Sequence, residues 1–123
     1  MSYSSFEDLE VWRRACRLAV RVYEILADCR DYGLKDQMTR AAISIASNIA
    51  EGAERDSGPE YRRFIHISKG SAAELRTQLY IATRIGIIPA DKATELIEET
   101  KAIAGQLQKL SDYLVSGFKK RKT

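Results

Sequence analysis

The stretch Ser44-Ile45-Ala46-Ser47-Asn48-Ile49-Ala50-Glu51-Gly52 decides the fold, because it places small and polar residues where a helix usually carries bulky ones. Serine and asparagine inside a helix each cost a few tenths of a kcal/mol relative to alanine, so their presence needs a physical reason. Residues 68–73 supply a second patch rich in serine, glycine and alanine. We interpret both patches as surfaces of close approach between two helices, which small side chains permit. On this interpretation, Gly70→Leu should force the two helices apart by overpacking.

Polar side chains inside this predicted contact indicate a hydrogen-bonded network, since partly buried polar groups need partners. The predicted members are Asn48 and Glu51 on the earlier helix and Ser71 and Glu74 on the later one, with Lys69 beside them. Such a network would lock the two helices together. The alternative is that Glu51 and Glu74 form a pair of acids that acts on a substrate or a metal, which requires both to face a solvent cleft.

Apolar residues recur at alternating spacings of three and four along four segments, the pattern of helices that bury one face. The segments are residues 7–30, residues 34–54, a third helix that starts at the break over 55–60 and ends at Gly86, and a fourth that follows Ile88-Pro89. No segment alternates with period two for long enough to be a strand. Because the three connections are short, neighbouring helices should run antiparallel. The sequence therefore predicts an all-α, up-down-up-down antiparallel four-helix bundle.

The spacing also predicts which face of each helix is buried and where helices end. In helix one the predicted buried residues are Leu9, Trp12, Cys16, Ala19, Tyr23 and Leu26. In helices two, three and four, the predicted buried residues are Leu34, Met38, Ala42, Ile45 and Ile49; Tyr61, Ile65, Ser68, Ala72, Leu75, Leu79 and Ala82; and Ala93, Leu96, Thr100, Ile103, Leu107, Leu110 and Leu114. Gly33 can take the left-handed conformation that ends a helix. Ser57 is placed to cap helix three, with Pro59 in its first turn. Gly86 ends that helix, and Ile87 is positioned for the hydrophobic contact that often follows such a glycine.

Length and charge describe one nearly neutral domain with a basic end. At 123 residues the chain is long enough to bury a single core without disulfides or metal. The formal net charge of +3 includes +4 from Lys119, Lys120, Arg121 and Lys122, so residues 1–118 sum to −1. We therefore assign residues 1–118 to the bundle and predict a disordered basic tail over residues 119–123.

The sequence also bears on where the protein resides. No run of about 18 apolar residues occurs and the first residues are polar and acidic, so we expect neither a membrane span nor a targeting segment. Cys16 and Cys29 lie on one predicted helix, roughly 20 Å apart along its axis, which is too far for a disulfide. Both should be reduced thiols, as expected of a cytoplasmic protein.

Residues that carry enzymatic chemistry are scarce. The sequence lacks a glycine-rich phosphate loop, paired cysteines at zinc spacing and a nucleophile elbow. Its single histidine, His66, does not follow a glutamate by three residues as in di-iron bundles, since Arg63 stands at that position. We expect no catalytic residues, no metal, no cofactor and no small-molecule substrate.

Cations recur in two rows, at four-residue spacing in helix one and at seven-residue spacing in helix three. The rows are Arg13, Arg17 and Arg21, and Arg62, Lys69 and Arg76. Together with the basic tail over 119–122, such rows suit a phosphate backbone, because arginine offers forked donors to phosphate oxygens. The alternative is a solvated face with local pairs such as Glu10 with Arg13 or Arg14. No aromatic RNA-binding motif supports base-specific recognition.

Three segments carry a resemblance to a known family. They are Phe6-Glu7-Asp8-Leu9-Glu10-Val11-Trp12, Gln37-Met38-Thr39-Arg40-Ala41-Ala42 leading into Ser44–Gly52, and Lys69-Gly70-Ser71-Ala72-Ala73-Glu74-Leu75. They are similar to the four-helix proteins encoded by intervening sequences in bacterial large-subunit (23S) ribosomal RNA genes. The similarity runs over nearly the whole chain.

The resemblance implies a four-helix bundle that assembles into a ring of five copies. The related accessory protein of diversity-generating retroelements assembles in this way and binds nucleic acid and a reverse transcriptase. That relative is strongly basic, whereas the body of this chain is nearly neutral. The resemblance implies no catalytic residues.

We therefore expect a non-enzymatic homo-oligomer, with RNA or DNA bound non-specifically through the two rows and the tail as the leading hypothesis. Self-association is also favoured by aromatic residues outside the predicted buried faces, which are too many for the surface of a monomer. The alternative is a protein scaffold or accessory subunit with no nucleic-acid binding.

Overall fold

The computed structural model describes the backbone of residues 5–122 and the side chains of residues 5–116. A short 3-10 turn, Phe6–Asp8, precedes four α-helices: α1 over Glu10–Ile25, α2 over Tyr32–Ala53, α3 over Gly58–Arg84 and α4 over Ala90–Lys122. The described residues contain no strand, so the all-α prediction is confirmed. In this part of the chain no helix is both long and apolar enough to cross a membrane.

The four helices form a closed ring of antiparallel neighbours, as predicted. Contacts join α1 to α2, α2 to α3, α3 to α4 and α4 back to α1, and none joins diagonal helices within residues 5–122. Ser44 of α2 bonds to Ser71 of α3, and Gly52 at the end of α2 lies against Tyr61 near the start of α3. These two helices therefore run in opposite directions, and the ion pairs between α1 and α4 described below show the same reversed order.

A single apolar core runs along the bundle axis, with contributions from all four helices. Its largest fully buried side chains are Leu18, Leu26, Met38, Ile45, Ile49, Ile65, Leu75, Leu79, Ile88, Leu96, Ile103 and Leu107. The buried faces predicted for the second, third and fourth helices agree with this core. Such burial supplies the main favourable free energy of folding.

The buried face of α1 differs from the prediction by a rotation of one residue. Its buried residues are Val11, Ala15, Leu18 and Val22, with Leu26 just beyond the helix. Trp12, Cys16 and Ala19 lie at the edge of the core instead, and Tyr23 is exposed. Both sets have the same three-and-four spacing, and the prediction chose the set with the larger side chains. The prediction for α1 is therefore right for Leu26 and wrong for Trp12, Cys16, Ala19 and Tyr23. As a result, Trp12 lies at a partly open edge of the bundle.

The connection between α1 and α2 is longer than predicted, because α1 ends at Ile25 rather than at residue 30. Asp31 explains why α2 begins at Tyr32 rather than at the predicted residue 34: it adopts a non-helical conformation, and its carboxylate accepts a hydrogen bond from the Leu34 backbone N–H at 3.1 Å. Gly33 lies in the first turn of α2 and does not have a positive φ, so its predicted role in ending helix one is wrong.

The predicted ends of α3 are confirmed. The Ser57 hydroxyl accepts a hydrogen bond from the Glu60 backbone N–H at 3.2 Å and so caps the first turn. At the other end, Gly86 has φ +80°, which an L side chain rarely adopts. The Ile87 backbone N–H then donates to the Ala82 carbonyl at 2.9 Å, which gives the Schellman arrangement.

At position 52, α2 and α3 are in close contact. A Cβ atom at Gly52 would lie 2.9 Å from Phe64 Cβ and 3.0 Å from Tyr61 Cδ1, both shorter than ordinary carbon contacts. A Cβ atom at Gly70 would have nothing within 4 Å, and Gly70 is exposed. The expectation that Gly70→Leu forces the helices apart is therefore wrong, because position 70 lies on the outer face of α3.

The backbone of residues 119–122 belongs to α4. The division into a bundle over 1–118 and a disordered tail over 119–123 stays a prediction. The side chains of these residues lie outside the described part of the chain. Their contribution to binding stays a prediction.

Candidate nucleic-acid interface

The arginines of the α1 row (Arg13, Arg17 and Arg21) are paired with acids along the whole row. The partners are, in order, Asp8 at 3.6 Å, Glu10 at 3.1 Å and Glu95 of α4 at 3.2 Å. All six side chains are well exposed, so each pair adds little to stability. The pairs nevertheless give each arginine a counterion within the protein. This row is therefore a solvated face with internal ion pairs, which was the alternative left open by the sequence.

Arg14 makes the best-formed ion pair of the described residues, and it joins α1 to α4. Its Nε donates to Glu99 Oε2 at 2.6 Å and its Nη2 donates to Glu99 Oε1 at 3.0 Å. The two side chains are 30% and 21% exposed, less than the other pairs. The hydrogen bond to Glu99 raises the pKa of Arg14 further, against the opposing effect of burial. Glu99 is thus a tertiary partner of α1.

We expect Glu99→Gln to lower the free energy of unfolding by about 1–2 kcal/mol, because it leaves a partly buried guanidinium without its charge-assisted partner. The control is Glu10→Gln, which removes the exposed partner of Arg17 and should cost less than about 0.5 kcal/mol. Urea unfolding followed by circular dichroism measures both. Equal effects of the two substitutions would contradict the structural role given to the Arg14–Glu99 pair.

The α3 row (Arg62, Lys69 and Arg76) differs from the α1 row because none of its members has a carboxylate partner among the described residues. Lys69 Nζ donates instead to the neutral side-chain oxygen of Gln108 on α4. Arg62 Nε is buried with no acceptor among the same residues. The positive charge of the α3 row is therefore not neutralised by any described carboxylate.

Other residues extend the α3 row into a longer stripe. Positions 62, 66, 69, 76, 80 and 84 follow one another at spacings of three, four or seven, so they share one side of α3 within an arc of roughly 80°. We call Arg62, His66, Lys69, Arg76, Tyr80 and Arg84 the α3 stripe. His66 Nε2 lies 3.3 Å from Ser111 Oγ of α4. Together with the Lys69–Gln108 bond, this places the stripe along the seam between α3 and α4.

The polar network between α2 and α3 is smaller than predicted and includes a residue that the prediction left out. Ser44 Oγ and Ser71 Oγ share a hydrogen bond at 2.8 Å, and Asn48 Nδ2 donates to the Ser44 carbonyl at 2.8 Å and to Ser44 Oγ at 2.9 Å. Nearby, the buried Ser68 hydroxyl donates to the Ile45 carbonyl at 2.7 Å. These bonds satisfy polar groups at the close contact, which is a structural role.

Glu51 and Glu74 lie outside this network. Both are exposed, and neither bonds to Asn48 or Ser71 within the described residues. In the same part of the chain, no group of three or more histidine, cysteine, aspartate or glutamate side chains could hold a metal ion. The arrangement of the two glutamates is that of solvated surface acids.

Two shallow grooves flank α1. One has a volume of about 400 Å³, lies between α1 and α2 and is mainly apolar; it is lined by Trp12, Cys16, Ala19, Ile43, Ala46, Ser47 and Ala50. The other, of about 250 Å³, lies between α1 and α4 and is lined by Arg21, Glu24, Ile25, Lys92, Glu95 and Leu96. The first groove exists because the tryptophan edge of α1 faces outward rather than into the core. An apolar groove of this kind fits a protein surface better than a phosphate.

Fold and surface together define a class of protein: an antiparallel four-helix bundle whose α3 row has no carboxylate partner among the described side chains. The chain belongs to the 23S rRNA-intervening sequence protein family, whose model matches residues 7–109. The resemblance seen in the sequence is therefore confirmed.

A solved structure shows the same fold. It is the 1.70 Å crystal structure of a protein of unknown function from the S23 ribosomal protein family of Bacteroides thetaiotaomicron VPI-5482. It superimposes with a TM-score of 0.78 over 82% of this chain and 97% of that one, at 21% sequence identity. No curated protein matches the chain. At this identity, the likeness establishes the arrangement of the helices and no activity.

Proposed function

We propose that this protein is a non-enzymatic, oligomeric helical bundle that binds RNA or DNA without sequence preference through phosphate contacts from α3. One observation carries the proposal: Arg62, Lys69 and Arg76 have no carboxylate partner among the described residues. Cations without internal counterions are free to replace the ions that condense on a nucleic acid, and release of those ions drives association. The sequence hypothesis used both rows and the tail, whereas this proposal assigns the main phosphate contacts to the α3 row.

The α1 row supports binding less well, because a phosphate would have to compete with Asp8, Glu10 and Glu95 for its arginines. Breaking an exposed ion pair costs little, but the released carboxylate would then repel the phosphate. The basic tail over 119–122 adds four cations to the proposal on sequence grounds.

The same proposal includes assembly into a homo-oligomer. The sequence resemblance implies a ring of five copies. Several copies would present several α3 rows to one polymer, and linked weak contacts give strong overall binding. Light scattering should then give a particle mass of about five times 13.9 kDa. We place the protein in the cytoplasm, where its two free thiols, Cys16 and Cys29, stay reduced.

The test is binding to structured RNA, single-stranded RNA and duplex DNA over a series of salt concentrations. In the variant Arg62→Gln/Lys69→Gln/Arg76→Gln, the slope of log K against log salt should become shallower by roughly 2 to 3, because each lost phosphate contact removes about 0.7 to 0.9. Affinity at low salt should fall at least tenfold. Truncation after Phe118 measures the contribution of the tail.

The matched control is Arg13→Gln/Arg17→Gln/Arg21→Gln, which removes the same charge from the α1 row. It should change the slope by less than 1, because its arginines are already paired within the protein. Equal losses for both triple variants would mean that net charge, and not the α3 row, determines binding. Absence of binding to every nucleic acid at low salt would overturn the proposal.

A protein scaffold is the second candidate, and the apolar groove between α1 and α2 favours it. Ile43 on its rim is 43% exposed, and Val20 and Tyr23 on α1 are also exposed. If scaffolding is the role, deletion of residues 119–123 together with the α3 triple substitution should leave the relevant protein contact unchanged. Loss of that contact would count against scaffolding.

A further inference from the structure

The α3 stripe is a narrow line of charge rather than a broad basic patch. Arg62, Lys69 and Arg76 follow one another at seven-residue intervals, so the row spans about 21 Å along the helix axis. The other flank of α3 is occupied, since Ser68 and Ser71 bond to α2. The bundle therefore presents these cations in single file along the seam between α3 and α4.

The α4 side of this seam is mainly neutral. Gln108 and Ser111 are the α4 groups that bond to the stripe, through Lys69 and His66. The carboxylate near them is Asp112, which accepts a hydrogen bond from Gln108 Nε2 at 3.0 Å. The α1 row lies on the helix diagonally opposite α3. On α4, Lys101 lies seven positions before Gln108, but it is paired with Glu98 at 3.2 Å. Among the described residues, neither therefore offers a second file of unpaired cations beside the first.

A single file of cations suits one sugar–phosphate strand better than two. A duplex presents two phosphate strands on either side of a groove, and proteins that bind it across a groove contact both. Here the single file of unpaired cations can serve one strand, and the α4 groups bonded to it, Gln108 and Ser111, are neutral. The geometry thus favours single-stranded over double-stranded nucleic acid.

An aromatic ring stands at the end of this file. Tyr80 follows Arg76 by one helical turn on the same side of α3 and is 47% exposed. Arg84 follows Tyr80 by one further turn and is also exposed. Aromatic rings interspersed with cations are the arrangement by which proteins hold single strands, because every unpaired base can stack on a ring whatever its identity.

We propose that the α3–α4 seam binds a single strand of nucleic acid, with phosphates on Arg62, Lys69 and Arg76 and an unpaired base stacked on Tyr80. This inference rests on the proposed function and specifies its ligand. Bases inside a duplex are already stacked on one another, so they are not free to stack on the ring of Tyr80. The stacking contact adds affinity without adding sequence preference.

The experiment compares a 20-nucleotide oligothymidylate with a 20-base-pair DNA duplex by fluorescence anisotropy, using the full chain. The single strand should bind at least tenfold more tightly than the duplex at equal salt. Tyr80→Ala should weaken binding of the single strand about 5- to 100-fold, the range of one base–aromatic stack. It should leave the salt slope unchanged, because a lost stack releases no counterion, whereas Arg76→Gln should reduce that slope by about 0.7.

Tyr113→Ala is the matched control, since Tyr113 is a 68% exposed tyrosine on α4 that lies away from the stripe. It should bind the oligothymidylate as the unsubstituted protein does. Equal or tighter binding of the duplex, or equal effects of Tyr80→Ala and Tyr113→Ala, would overturn the single-strand inference while leaving non-specific binding intact. No binding of either probe at low salt would overturn the proposed function as well.

Discussion

Gly52→Leu is expected to destabilise the bundle by about 3 kcal/mol or more, and so to lower its melting temperature by roughly 10 °C or unfold it. The first added carbon already meets Phe64 Cβ at 2.9 Å and the Tyr61 carbonyl oxygen at 3.1 Å. A backbone oxygen cannot move aside as the end of a flexible side chain can, so α2 and α3 must separate. Their separation would also break the bonds from Ser44 to Ser71 and from Ser68 to the Ile45 carbonyl.

The matched control is Gly70→Ala, because Gly70 also lies within a helix but has open space around it. This substitution should stabilise the protein by up to about 1 kcal/mol, the difference in helix propensity between alanine and glycine. Thermal unfolding followed by circular dichroism measures both variants. A melting temperature for Gly52→Leu equal to that of the unsubstituted protein would contradict the close packing of α2 on α3.

Ile45→Ala should cost about 2–5 kcal/mol in the free energy of unfolding. Ile45 is fully buried at the middle of α2, and its truncation leaves a cavity that the surrounding core fills only in part. Chemical denaturation measures this free energy, and an unchanged slope m shows that unfolding remains two-state.

Ile43→Ala is the control for this second prediction, two positions away on the same helix. Ile43 is 43% exposed at the rim of the apolar groove, so its truncation in the monomeric bundle should cost under about 1 kcal/mol. Equal losses for Ile43→Ala and Ile45→Ala would show that the groove is covered in solution, and a dependence of the Ile43→Ala loss on protein concentration would assign the cover to a second copy.

Most of the helix pattern follows from local sequence, because three of the four helices have one dominant apolar face. In α1 two faces compete: Val11, Ala15 and Leu18 are as regularly spaced as Trp12, Cys16 and Ala19. Side-chain size favoured the wrong face. The deciding factor is the position of the neighbouring helices, which periodicity within one helix does not contain.

Local signals could have corrected two other errors. Asp31 is followed three residues later by Leu34, whose backbone N–H it caps, and aspartate at such a position predicts a helix start better than Gly33 predicts a helix end. Asn48 follows Ser44 by four residues, the spacing at which helical side chains meet, so Ser44 belonged in the predicted network.

The candidate site was predicted in part. The spacing of Arg62, Lys69 and Arg76 correctly indicated one face of one helix. The pairing of Arg14 with Glu99 and of Arg21 with Glu95 was not predictable from spacing, because it joins residues from opposite ends of the chain. Only the closed ring of helices brings those groups together, and that closure decides which arginines remain free.

The contact between α1 and α4 limits the order in which the helices can pack as the chain is synthesised. Its best ion pair joins residues 85 positions apart, whereas the Ser44–Ser71 bond between α2 and α3 spans 27 positions. On the ribosome α1 emerges first and its α4 partner last, so the α2–α3 hairpin can form while one side of α1 is still uncovered. The first of the four helices thus lacks one neighbour until α4 has been made, and only then can the bundle close.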